Sequence, residues 1–379
     1  MKVLMISTDR FIFDETSVAA ERMREYGTLF DQLHIIVFSR RFHDKRQVRI
    51  ADNCWAYPTH SWSRLTYIFD AIRTARRILS SVVEPGSGWV ITTQDPFETG
   101  LVGRRLKKIA GIPFQAQVHT DIGSPYFAQS FLNKVRLYIA RQVLKETDRV
   151  RVVSSRIKQT LVRDYGIDSD SVDVLPIYTD VSVVEEANED IHAKYQQFGT
   201  IVLMASRLTK EKNIPCALRA FARTGEKHPE AGMVVVGTGP EEQRLKKLAK
   251  KLGIENKVIF EGWKDDVSDY FKTADIFLLT SDYEGYGRTL FEAARGQTAI
   301  VSTDVGIIGD TFVSDEDVFV CPPRADECLG TKIAHFLSSS EMREKYARSA
   351  HEKASAHFIQ KQEYHERFVR SIFEAVKHS

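Results

Sequence analysis

With 379 residues the chain is long enough for two or three domains, and 43% hydrophobic residues supply each with a core, which excludes wholesale disorder. Charged residues make up 27%, and 53 Lys+Arg against 51 Asp+Glu leave a net +2, a balance that gives no sign of a nucleic-acid partner. No apolar run approaches the roughly 18 residues that span a bilayer, and Met1 leads straight into Lys2–Ile6 without the layout of a signal peptide, so a cytoplasmic chain is expected. The four cysteines, Cys54, Cys216, Cys321 and Cys328, match neither a disulfide framework nor a zinc site and are expected to be reduced and structural.

Short β-branched runs alternate with amphipathic stretches throughout, the pattern of parallel sheets covered by helices. In the first half the strands are Val3–Ser7, His34–Phe38, Trp89–Thr93, Phe114–Val118 and Arg151–Val153, with helices between them. Ser17–Phe30 sets Ala20, Met23, Gly27 and Phe30 on one helical face, opposite Glu21, Arg22, Arg24 and Glu25. The polar segment 179–197 has no clear strand and divides the chain into domains 1–178 and 179–359. Beyond it the series restarts with strands at Ile201–Ala205, Met233–Val236, Val258–Glu261, Ile276–Leu279, Ala299–Ser302 and Val318–Cys321. Helices should cover Pro215–Arg223, Glu241–Leu252, Thr289–Gly296 and Asp326–Leu337, and the tail from Glu341 is helical with a break near His357–Phe358. The halves repeat an architecture without repeating a sequence.

Charge is unevenly shared. Residues 1–178 hold 26 Lys+Arg and 19 Asp+Glu, a net +7, and the remainder hold 27 and 32, a net −5. The excess includes Arg104, Arg105, Lys107 and Lys108 and the series Lys134, Arg136, Arg141, Lys145, Arg149, Arg151, Arg156 and Lys158, which also suits a solvated helix face. Within Tyr67–Leu79, Ile68, Ala71, Ile72, Ala75 and Leu79 share a face and Arg73, Arg76 and Arg77 lie mostly off it. That pattern fits a helix lying on an anionic membrane, and equally a helix facing the core.

Chemistry concentrates at strand ends, where open α/β sheets bind ligands. Arg207 and Lys212 follow the strand Ile201–Ala205 and are placed to hold an anion, one as a fork and one as a point charge, unless they are plain surface charge. Gly237 and Gly239 follow Met233–Val236 and let a ligand approach the backbone; a dinucleotide fingerprint is opposed by Glu242 at the third glycine position. Glu284-Gly285-Tyr286-Gly287-Arg288-Thr289-Leu290-Phe291-Glu292 runs from a strand into a helix, so its backbone N–H groups suit a phosphate. Glu284 and Glu292, eight apart, would bracket that anion and accept hydrogen bonds from hydroxyls on either side; the plainer reading is a helix start with nearby acids. Asp315-Glu316-Asp317 could hold a divalent metal but reads more simply as a turn. His119 stands at the end of Phe114–Val118, as a structural or a functional histidine.

In this order the motifs resemble the retaining glycosyltransferases of family 4. That resemblance implies an α/β protein of the GT-B fold, two Rossmann-like domains facing across a cleft, with the helix of about 360–379 able to pack back on the first. Glu284 and Glu292 match the family's Glu-x7-Glu, Arg207 and Lys212 its diphosphate-binding pair, Cys321-Pro322-Pro323 is also similar, and His119 aligns with its cleft histidine. By resemblance the catalytic set is Arg207, Lys212, Glu284 and His119. Glu284 would meet the donor sugar, Glu292 the ribose, the backbone of Gly285, Tyr286, Gly287, Thr289 and Leu290 the sugar and phosphates, and Gly262-Trp263 the base, with Gly237 and Gly239 in the same donor site. Two departures concern the acceptor side: Ser7–Phe11 lacks the family's paired glycines, and Ile177-Tyr178-Thr179-Asp180 replaces Asn-Gly-Val-Asp.

The expected activity is transfer of a sugar from a nucleoside diphosphate sugar, as UDP- or GDP-sugar, to an acceptor hydroxyl, with retention, no metal and no cofactor beyond the donor. The expected acceptor is a glycan or lipid-linked glycan, handled by the first domain, with peripheral contact to an anionic membrane at its inner face and no nucleic acid. A nucleotide-sugar epimerase of the same architecture and a non-catalytic sugar-nucleotide-binding subunit are the alternatives.

Overall fold

Strands buried on both faces need helices on both sides, and the β-branched runs of this chain are buried along nearly their whole length. The computed structural model describes residues 1–41, 47–82, 88–179, 187–225 and 227–377. They form two units, Met1–Pro176 with Gln360–Ser379, and Ile177–Ile359.

The first unit runs β1 (Lys2–Ser7), α1 (Val18–Gly27), β2 (Gln32–Val37), β3 (Val48–Ala51), β4 (Cys54–Pro58), α2 (Tyr67–Val82), β5 (Trp89–Thr93), α3 (Glu98–Ala110), β6 (Phe114–Val118), α4 (Phe131–Leu144), β7 (Arg149–Val152), α5 (Ser155–Tyr165) and β8 (Val172–Val174). Its eight-stranded sheet has the order β3-β4-β2-β1-β5-β6-β7-β8, parallel except for the edge strand β3. The hairpin β3–β4 and strand β8 have no counterpart in the sequence reading, because runs of three to five residues with polar members carry little periodicity. Helix α1 stops short of the expected Phe30 because the Asn53 side chain donates to the carbonyls of Gly27 (2.9 Å) and Phe30 (2.8 Å), turning the chain into β2.

Of the two readings open for the apolar face of α2, lipid or core, the structure shows the core. Ala71, Ala75, Ile78 and Leu79 of α2 are buried, because the helix covers the sheet beside α3. The basic run of α3 is largely paired as well: Arg104 and Lys108 with Glu146 (2.6 and 2.9 Å), and Lys107 with Asp148 (2.5 Å).

The second unit runs α6 (Ile191–Lys194), β9 (Thr200–Ala205), α7 (Ile214–Ala222), β10 (Ala231–Val236), α8 (Glu242–Lys251), β11 (Val258–Gly262), α9 (Ser268–Thr273), β12 (Ile276–Leu279), α10 (Arg288–Arg295), β13 (Ala299–Thr303), β14 (Phe319–Cys321), α11 (Asp326–Ser338) and α12 (Ser340–Ala356). Its six strands are all parallel, in the order β11-β10-β9-β12-β13-β14. Of the polar segment expected at the boundary, residues 180–186 lie outside the described residues. The final helix, α13 (Lys361–Lys377), belongs to the first unit, where Phe368 stacks on Tyr26 of α1 at 4.5 Å.

The expectation of four reduced cysteines is corrected. Cys321 and Cys328 form a disulfide, while Cys54 and Cys216 are free and buried. Spacing alone does not show this: Cys321 ends β14 and Cys328 lies in the first turn of α11, which brings their Cα atoms to 5.9 Å.

Candidate active site

In the second unit the strand order reverses between β9 and β12, and ligands in such sheets sit beyond the carboxyl ends at that switch point. The loops leaving β9, β10 and β12 are bonded to one another there. Leu208 N donates to Thr238 O (2.9 Å), Thr280 Oγ1 to Lys212 O (3.0 Å) and Asp282 N to Glu211 O (2.8 Å).

Lys212 and Glu284, 72 positions apart, meet at this point. Lys212 Nζ lies 2.5 Å from Glu284 Oε1, which also accepts from Ser281 Oγ (2.6 Å). Both side chains are largely screened from solvent, at 17% and 14% exposure, so each is the other's main counter-charge. Arg207 is more open, with Nη2 3.2 Å from Glu211 Oε1, an oxygen that Thr209 Oγ1 also reaches at 2.7 Å. Glu292 lies one turn inside α10, paired with Arg288 Nε at 2.7 Å. The four expected charges therefore all have intramolecular partners, and a polyanion entering here would compete for the two cations.

The glycines act differently from one another. Gly287, at φ 83°, precedes α10 in the left-handed region and turns the chain into the helix, where its carbonyl accepts from Leu290 N (2.9 Å). Gly237 and Gly239 do not leave open space for a ligand: a Cβ on them would lie 2.0 Å from Ser206 O and 2.3 Å from Leu208 O. They lock the loop that carries Arg207. Leu290 is fully buried, and the buried ring of Tyr286 stacks on Phe291 at 5.9 Å.

Trp263, just past β11, is 64% exposed, and its indole N–H donates to Asp265 (3.1 Å). Neighbouring Glu261 accepts from Lys194, Tyr195, Tyr270 and Lys264. Burial opposes its ionisation, but these bonds outweigh burial and hold the carboxyl down at about 2. Asp315–Asp317 is built as a turn: Asp315 N donates to Val318 O (2.8 Å), Asp315 pairs with Lys332 (2.6 Å), and Asp317 accepts from Val313 N (2.9 Å) and Ser349 Oγ (2.7 Å).

Several residues that organise the site escaped the sequence reading. Asp282 accepts from Asn213 Nδ2 (2.9 Å) and from Arg324 Nη2 (2.6 Å), which ties the Glu284 loop to the loops after β9 and β14. Polar Ser281 and Asp282 directly after a buried strand were the available signal; Arg324, 42 positions away, offered none.

His119 belongs to the first unit, at the carboxyl end of β6. It is half-buried, with Nε2 2.9 Å from Gln117 Oε1. Burial first, then the charges of Arg151 and Arg22, push its pKa down to about 3, so the ring is neutral at physiological pH.

Comparison with known proteins assigns the class. The model of glycosyl transferases group 1 matches residues 187–353, and that of Glycosyltransferase Family 4 matches residues 19–183. Sucrose-phosphate synthase from Thermosynechococcus elongatus superposes with a TM-score of 0.80 at 18% identity, covering 99% of this chain and 100% of that one. Anabaena HepE, in complex with UDP and glucose, gives 0.74 at 18% identity over 100% and 99%. The fold is thus GT-B, built from the two parallel-sheet units described above. Mannosylfructose-phosphate synthase of Agrobacterium fabrum is 25% identical over 68% of this chain and 63% of its own length. Alpha-monoglucosyldiacylglycerol synthase of Streptococcus pneumoniae is 28% identical over 62% and 57%. Alignments with these two relatives thus span about three-fifths of their lengths. The chain belongs to the family 4 glycosyltransferases.

Proposed function

We propose that the chain transfers a sugar from a nucleoside diphosphate sugar to an acceptor hydroxyl, with retention at the anomeric carbon and without a metal. The observation that carries this reading is the convergence of Lys212, Glu284 and the N-terminus of α10 at the switch point of the second sheet. As the bond to the anomeric carbon breaks, negative charge grows on the leaving diphosphate, so cations held in advance lower the barrier. Arg207 and Lys212 are assigned that role, Glu284 the donor sugar hydroxyls, Glu292 the ribose, and Trp263 the base. A diphosphate that draws Lys212 away would free Glu284 to accept from the sugar. His119 orients a substrate hydroxyl, and the departing phosphate takes the acceptor proton.

A thermal-shift screen of UDP- and GDP-sugars tests the donor: a ligand at 100 times its Kd stabilises by about 2.7 kcal/mol. Absence of any shift across both series would overturn the reading. Activity with the donor so found should survive EDTA.

The proposed acceptor is a lipid-linked or membrane-proximal glycan, and the proposed contact is the outer face of α4. Phe131, Leu132, Val135 and Tyr138 are exposed there, Phe131 to 83%, with Lys134 and Lys145 alongside. These two lysines, Arg105 of α3, and Arg76 and Arg77 of α2 have no ion-pair partner among the described residues. Each such cation near an anionic surface contributes about 1 kcal/mol. No helix among the described residues is long and apolar enough to cross a membrane. Salt-sensitive sedimentation with phosphatidylglycerol vesicles, lost on replacing Phe131 and Tyr138 by Ser, is expected; binding that ignores both salt and the replacements would remove this surface.

A further inference from the structure

A chain of hydrogen bonds through the middle of the first unit determines which nitrogen of His119 carries its proton. Arg151, on β7, is 3% exposed and has no carboxylate within ion-pair distance among the described residues. A guanidinium only donates. Its Nη1 lies 3.2 Å from Gln117 Oε1 and its Nη2 2.9 Å from Tyr364 Oη, so Oε1 accepts. The other end of that amide requires the same orientation: Gln117 Nε2 donates to Thr92 Oγ1 (2.9 Å), Thr92 Oγ1 to Gln115 Oε1 (3.0 Å), and Gln115 Nε2 to Ser371 O (2.7 Å). His119 Nε2 sits 2.9 Å from the accepting Oε1, and two lone pairs do not face each other at that distance. Nε2 therefore carries the proton. Nδ1 keeps its lone pair, has no partner among the described residues, and is not among the buried unpaired atoms.

We propose that Arg151 and Gln117 are positioning residues that hold His119 as the neutral Nε2–H tautomer, with Nδ1 presented as a hydrogen-bond acceptor to a substrate hydroxyl. The word substrate rests on the glycosyltransferase reading; the tautomer does not. A second proton on the ring would create a cation in the field of Arg151 from β7 and Arg22 from α1. The other groups nearby offer little compensation. Asp9 lies 3.5 Å from Arg22, Asp121 accepts from Gly123 N (3.0 Å), and the hydroxyls of Tyr26 and Tyr364 lie 3.5 Å apart. A ring so hard to protonate is a feeble general base near neutral pH. What it offers is selection: Nδ1 accepts from a hydroxyl and repels a carboxylate or a phosphate oxygen, neither of which has a proton to give.

The test is NMR of the full chain with 15N-labelled histidine, His119 being assigned by its loss in His119→Phe. The expected spectrum shows Nε2 protonated, Nδ1 bare, and no titration between about pH 5 and 8, the range of an unperturbed histidine. Gln117→Glu preserves shape and puts a carboxylate against the ring, so the His119 pKa should rise. A protonated Nδ1, ordinary titration in the unaltered chain, or a pKa unmoved in Gln117→Glu would each overturn the assignment. With a verified donor, His119→Phe keeps a ring and removes the acceptor, and kcat/KM should fall roughly tenfold, as for one lost hydrogen bond; an unchanged kcat/KM would refute the hydroxyl contact. The tautomer is read without substrate, so its failure is distinct from failure to find a donor.

Discussion

The loop proposed to hold the donor is braced from behind by Gly306, and this gives a sharp test of the site. Gly306, after β13, adopts φ 61°, and a Cβ there would lie 2.3 Å from Tyr286 O, the carbonyl that also accepts from Ile307 N at 3.0 Å. Gly306→Ala incurs two costs. The left-handed backbone costs an alanine about 1–2 kcal/mol, and relieving the contact demands that Tyr286 O retreat by about 0.7 Å even to reach 3.0 Å, overpacking of a kind that costs about 1–3 kcal/mol. Gly309 supplies the control: it sits at φ 86° and a Cβ added there would meet nothing within 4 Å, so Gly309→Ala carries the backbone cost alone. Urea denaturation should show Gly306→Ala less stable than Gly309→Ala by about 1–3 kcal/mol. The displaced atoms lie between Gly285 and Gly287, so Gly306→Ala should also weaken donor binding in calorimetry and slow transfer by up to about 100-fold, the scale expected of a 1 Å misplacement. Equal stability of the two variants, or unaltered donor affinity in Gly306→Ala, would refute the idea that this carbonyl positions the site.

Arg207→Ala and Lys212→Ala should each lower kcat by roughly 10²–10³-fold; near-normal kcat in both, with chemistry rate-limiting, would remove them from leaving-group stabilisation. Glu292→Gln should weaken the whole nucleotide, and Glu284→Gln the sugar-bearing donor more than the free nucleoside diphosphate. Calorimetry showing equal losses for both ligands in both variants would reject that division. Glu261 ionises more readily in the folded chain, at about 2 against an ordinary 4.5, so it adds stability above pH 4.5 that is lost as pH falls towards 2. Glu261→Gln should therefore flatten the acid limb of stability measured by urea denaturation, and an unchanged limb would show that the network around it contributes nothing.

The sequence by itself determined the strands that are buried on both faces. Ile201–Ala205, Met233–Val236 and Ile276–Leu279 are apolar along their length, and hydrophobic burial depends on composition and periodicity, which a chain displays locally. The stretch Glu284–Glu292 was legible for a related reason: a loop that ends in glycine and then starts a helix has a local signature. Only the tertiary structure decided which charges meet. Lys212 reaches Glu284 across 72 positions and Asp282 reaches Arg324 across 42, pairs that no window of sequence contains. It also decided direction. The apolar face of α2 reads identically whether it meets lipid or core, and it proves to be buried because the sheet and α3 lie on that side. The same holds for the first unit's cations: net charge is a sum along the chain, but the charge available to a partner is what remains after folding has paired Arg104, Lys107 and Lys108 with Glu146 and Asp148.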